Sequence, residues 1–124
     1  MKINKDVILA FHQELILRFG GIGGLRDGNV LDYILNIPEQ TINQQQRYPT
    51  PMDKASIVAY LLISRHPFFD GNKRIGMHVL AVYLRYYGYR YEPSVDDVVQ
   101  IALLVASGDV AYQTFCDWVR STCK

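Results

Sequence analysis

Apolar residues recur at helical spacing along most of this chain. Val7, Ile8, Phe11 and Leu15 predict a first helix, capped by Asn4 and running to about Arg18. Gly20-Gly21-Ile22-Gly23-Gly24 ends it and reads as a flexible turn. A second helix is expected from Asp27 to Ile37, with Val30, Leu31, Ile34 and Leu35 inward and Pro38 as its stop. Residues 39–51 are polar and show no periodic apolar face, so they read as an exposed flap with room for an extended strand. Met52 to about Arg65 forms a third helix. Lys73 to Tyr87 forms a fourth, with Asn72 as its cap. Ile75, Met77, Val79, Leu80, Val82, Tyr83 and Leu84 spread around almost its whole circumference, the pattern of a buried helix. Gly88 stops it, and Tyr89–Pro93 is an extended link. Ser94 and Asp97 open a fifth helix through Val105, as a variant capping box. Gly108 breaks it, and a sixth runs from Asp109 or Val110 to Thr122. The expected fold is all-α: one domain over residues 1–124, about six helices around a central buried one.

Composition narrows the function classes. A chain of 124 residues, 49% hydrophobic and 20% charged, is long enough for a core without staples. Its net charge of +1 provides no broad field for nucleic acid or acidic membranes, so any anion must be recognised locally. The longest apolar run, Ile57–Ile63, is far too short to span a bilayer. Met1–Asp6 lacks the apolar core of a secretory signal. Cys116 and Cys123 lie two helical turns apart, too far to bridge easily, and read as reduced thiols. A cytoplasmic protein is expected.

The chemistry concentrates in His66-Pro67-Phe68-Phe69-Asp70-Gly71-Asn72-Lys73-Arg74. This stretch places a histidine, a carboxylate, an amide and two cations just before the buried helix. Helix N-termini carry unpaired N–H groups and about half a positive charge, and they bind phosphate readily. Lys73 and Arg74 oppose that dipole, at a cost of about 0.3–1 kcal/mol each. Such a local conflict marks a sequence serving a ligand. An anion, with a nucleotide phosphate as leading candidate, would reverse the penalty. Imidazole is the side chain suited to proton transfer near neutral pH, which makes His66 the candidate base for a hydroxyl nucleophile. Asp70 is the candidate Mg²⁺ ligand, beside substrate phosphates. Asn72 is a candidate phosphoryl donor as well as cap, and Gly71 allows close approach or a positive φ. Phe68 is expected to plug the loop into the core. His12 and His78 read as structural or surface residues. Arg26 and Asp27 read as a solvated helix start, with assistance to the site as the alternative.

His66, Phe68, Asp70, Gly71, Asn72 and Arg74 match the signature His-x-Phe-x-Asp/Glu-Gly/Ala-Asn-x-Arg, and the chain resembles the Fic/Doc superfamily over nearly its whole length. Lys73 stands where AMP-transferring Fic enzymes carry glycine, and Met77 where they carry a second arginine. Lysine there resembles the Doc toxin branch; Gly71, in place of alanine, keeps some Fic character. The resemblance implies a toxin that transfers a phosphoryl group from ATP, with Mg²⁺, to a threonine or serine of elongation factor Tu and stops translation. In that scheme His66 is catalytic, Gly71, Asn72, Lys73 and Arg74 bind phosphate, and Asp70 holds the metal. It also implies a separate antitoxin as partner. The self-silencing Ser/Thr-x-x-x-Glu helix of many Fic proteins is not matched: Glu14, Glu39 and Glu92 lack Ser or Thr four residues earlier. The alternatives are AMP transfer to a protein hydroxyl, or a catalytically silent helical binding module. Neither membrane nor direct nucleic-acid binding is expected.

Overall fold

The computed structural model describes residues 2–124. Six helices carry the fold: α1 (Lys5–Phe19), α2 (Gly28–Asn36), α3 (Pro51–Arg65), α4 (Asn72–Tyr86), α5 (Val95–Ala106) and α6 (Tyr112–Thr122). The polar flap contains a minimal antiparallel hairpin, β1 (Thr41–Ile42) and β2 (Gln45–Gln46), with Thr41 opposite Gln46. The all-α expectation therefore holds, with strand confined to the flap.

Local chemistry sets most helix ends. Asn4 accepts from the Val7 amide at 2.9 Å, Asp27 from Val30 at 3.1 Å and Ser94 from Asp97 at 3.1 Å. Helix α3 starts one residue before its apolar periodicity. Pro51 takes the first position, where its missing N–H costs nothing, and Thr50 with Asp53 forms a reciprocal capping box. Helix α2 ends at Asn36, and Pro38 is absorbed into a 3₁₀ turn over Ile37–Glu39. Helix α6 starts later than its sequence suggests. Asp109 is held to the end of α5, its amide donating to Leu104 O at 3.0 Å and its carboxylate accepting from Ser107 Oγ at 2.6 Å.

The centre is a pair of helices. Helix α4 packs most extensively on α3, and also on α1 and α5; α3 also meets α2, α5 and α6. The motif helix therefore shares the middle of the fold instead of occupying it alone. Gly76 permits this contact. A Cβ there would lie 2.6 Å from Ile63 Cγ1 and 2.9 Å from the Ala59 carbonyl oxygen. Val58, Leu62, Ile63, Ile75, Val79, Leu80 and Leu84 are fully enclosed around this seam. The 89–93 link is paired with the C-terminus through Glu92 N to Thr122 O and Lys124 N to Arg90 O. Cys116 is buried and Cys123 half-buried, and both are free thiols.

Candidate functional site

The α3–α4 connection begins with a helix end in an unusual state. His66 caps α3 in the left-handed region, at φ 51° and ψ 60°, where a residue with a Cβ is strained. Pro67 follows, with no N–H to continue any hydrogen-bond ladder. Phe68 turns into the core, 2% exposed, while Phe69 stays 59% exposed. That division matches the expectation for Phe68.

Asn72 departs from its expected part. The N-cap of α4 is Gly71, left-handed at φ 75°, with no side-chain cap. Asn72 is the first helical residue and is buried. Its Oδ1 accepts from Phe68 N at 3.0 Å and its Nδ2 donates to Phe68 O at 3.0 Å. The side chain thus closes the loop on itself. What this position offers a ligand is its backbone N–H, one of the first-turn amides that lack an intrahelical partner.

Lys73 and Arg74 follow on the exposed side of that first turn. The Arg74 guanidinium lies over the Phe19 ring, 4.5 Å from its centroid. The Asp70 carboxylate is exposed, and both its oxygens accept backbone N–H groups: Oδ2 from Ile22 at 3.1 Å, Oδ1 from Gly71 at 2.8 Å. These two bonds, with the charges of Lys73 and Arg74 behind them, hold its pKa below the usual carboxylate value. Asp70 is therefore ionised at neutral pH and retains lone pairs on both oxygens. A single hard carboxylate beside phosphate oxygens is a donor set that suits Mg²⁺.

Asp70, Gly71, Lys73 and Arg74 line a cavity of about 420 Å³. Its other wall is apolar: Met77 from α4 and Val98, Val99, Ala102 and Leu103 from α5. The Met77 thioether thus faces this cavity. His66 is exposed at the far end of the loop, outside the lining of the cavity.

Two supports of the loop were not read from sequence. The glycine segment after α1 is no free linker. Phe69 N donates to Gly24 O, Arg26 N and Asp27 N both donate to Pro67 O, and Leu25 bridges to Phe68. His12, from α1, is buried and stacks on Phe68 with ring centroids 3.7 Å apart. Its Nε2 lies 2.7 Å from the Asp70 carbonyl oxygen, which can only accept, so this nitrogen carries the proton. Only His12's place on an apolar helix face hinted at burial; its partner is 58 residues away.

A helical core, a His-to-Arg loop and an anion-ready helix end occur together here. The Fic/DOC family model matches residues 2–84, which hold α1 to α4 up to Leu84 and the entire motif; the chain belongs to this family. Among individual proteins, it is 23% identical over 121 residues to the protein kinase doc of Escherichia phage P1, covering 95% of this chain and 92% of that protein. It is 30% identical over 80 residues to the Toxin Doc of Mycolicibacterium smegmatis, covering 64% of this chain and 62% of that protein. Among the described residues, no helix is long and apolar enough to cross a membrane.

Proposed function

We propose that this chain is the toxin of a toxin–antitoxin module, acting as a protein phosphotransferase with ATP as donor and a Thr or Ser hydroxyl as acceptor. Elongation factor Tu is the proposed target, and a separate antitoxin the proposed partner. The observation that carries the reading is the first turn of α4. Lys73 and Arg74 stand there beside unpaired amides and the ionised Asp70, while Met77 replaces a further phosphate ligand in the same cavity.

The hydroxyl oxygen of the target attacks the γ-phosphorus. His66 accepts its proton, and the bond from the γ-phosphorus to the β–γ bridging oxygen breaks to release ADP. Lys73, Arg74 and the amides of residues 72–74 neutralise the charge spread over the transferring group. Asp70 is the residue that would hold Mg²⁺, and the ion would supply neutralisation of phosphate charge. The apolar wall from Met77 to Leu103 is suited to the flat face of a nucleobase. Phosphoryl transfer needs mainly positioning and charge stabilisation, so a site this small suffices. AMP transfer is the competing chemistry, and the Lys73 side chain opposes it by filling the space that glycine would leave.

The test uses purified protein, Mg²⁺ and a bacterial lysate, with γ-labelled and α-labelled ATP in parallel. The expected result is label from the γ-position only, at the mass of an elongation factor, and none with His66→Ala. Label from the α-position would move the chain to AMP transfer. No label at all, equal to His66→Ala, would favour a silent binding module.

A further inference from the structure

The geometry points to Arg26 as a positioning residue that fixes the direction of the His66 imidazole through the His66 backbone, an inference that rests on reading His66 as the proton acceptor. A residue before proline is pushed away from the right-handed helical region and toward extended backbone. His66 adopts neither; it is left-handed, although its Cβ disfavours that state and no glycine relieves it. Something outside the loop must select this conformation.

Arg26 supplies the selection. Its Nε donates to the His66 carbonyl oxygen at 2.8 Å, and Nη2 donates to the same oxygen. Nη2 also reaches the Arg65 carbonyl oxygen at 3.2 Å. The Arg26 and Asp27 amides donate to Pro67 O at 2.8 and 2.9 Å. Three successive carbonyls, 65 to 67, are therefore held by residues 26 and 27. The carbonyls of Arg65 and His66, which the guanidinium contacts, lie at the negative end of α3, so a cation there is favoured electrostatically as well as geometrically. Asp27 is in turn anchored as the cap of α2. Because φ and ψ of His66 set the direction of its Cα–Cβ bond, the Arg26 fork sets where the imidazole starts. Lysine has no planar fork and cannot hold two carbonyls in this way.

The experiment compares wild type, Arg26→Ala and Arg26→Lys for transfer of γ-label from ATP in the lysate, with ATP varied. A misplaced base costs roughly 10²-fold in rate. Arg26→Ala is expected to lose about that much at saturating ATP, with half-saturation by ATP almost unchanged. Arg26→Lys should fall between the two, and millimolar guanidinium should restore part of the rate to Arg26→Ala but not raise wild type. The ¹³Cα shift of His66 should leave its left-handed value in Arg26→Ala. A wild-type rate in Arg26→Ala would overturn the inference. So would a change in ATP half-saturation alone, or a lost rate with His66 shifts unmoved. If Arg26→Ala fails to fold, Arg26→Lys carries the same readouts. Full transfer by His66→Ala would instead remove the reading of His66 as base, while the ¹³Cα shift still reports separately on the Arg26 clamp.

Discussion

Asn72→Ala separates a ligand-binding asparagine from a loop-closing one. In the structure Asn72 is 8% exposed and makes both side-chain hydrogen bonds to Phe68, itself 2% exposed. Alanine would leave the Phe68 N–H and C=O buried without partners. Each such group costs about 1–3 kcal/mol. Some water access and non-additivity bring the expected loss to about 2–4 kcal/mol. At roughly 4 °C per kcal/mol for a chain of this size, melting should fall by roughly 8–16 °C. An outward-facing phosphate ligand predicts the opposite, since alanine is the better helix former. The assay is urea unfolding without nucleotide, followed by circular dichroism, with the midpoint read at unchanged slope. Asn72→Asp should be at least as damaging, because a carboxylate oxygen would face the Phe68 carbonyl. An Asn72→Ala midpoint equivalent to within about 0.5 kcal/mol of wild type would refute the reasoning.

Gly76→Ala should cost about 1–3 kcal/mol in the same unfolding assay, because its Cβ would press on Ile63 and the Ala59 carbonyl; an unshifted midpoint would contradict the close α3–α4 seam. Burial, then the charge of Arg18, holds the pKa of His78 below its usual 6.5. The unfolded chain therefore takes up this proton first, so the stability from neutral His78 is present above about pH 6.5 and is lost as pH falls toward the folded-state value. Wild type should lose more melting temperature than His78→Gln between about pH 7 and 5.5, and equal losses would exclude the effect. Thr50→Ala removes a capping box and should cost about 1 kcal/mol, again read as a urea midpoint. Lys73→Ala should lose γ-label transfer with a melting temperature no lower than wild type, since the lysine opposes the helix dipole; retained transfer would remove Lys73 from the phosphate site.

The helices were legible because each carries its own apolar pattern, and at α1, α2 and α5 the caps Asn4, Asp27 and Ser94 act locally, within three residues of their partners. The candidate site was legible because nine consecutive residues hold most of its chemistry. What escaped was non-local. Nothing in the spacing of His12 points to the Asp70 carbonyl, and a run of glycines looks the same whether it swings free or clamps a loop. Asn72 was misread because a side chain at a helix start serves equally well as a cap, a ligand or a tether until its neighbours are placed. The Thr50-x-x-Asp53 box was readable but hidden by Pro49 and Pro51, which flank Thr50.

The Ile22 amide that holds Asp70 belongs to an exposed stretch on the opposite side of the sequence. Surface connections normally tolerate inserted or deleted residues, and homologous chains vary there most freely. Here a change of one residue between Gly20 and Arg26 would shift the donor that faces the carboxylate and the fork that grips His66. The spacing of this short stretch is thus under the same constraint as the side chains it supports. Variation in such a chain should fall in the 39–50 flap and spare this turn.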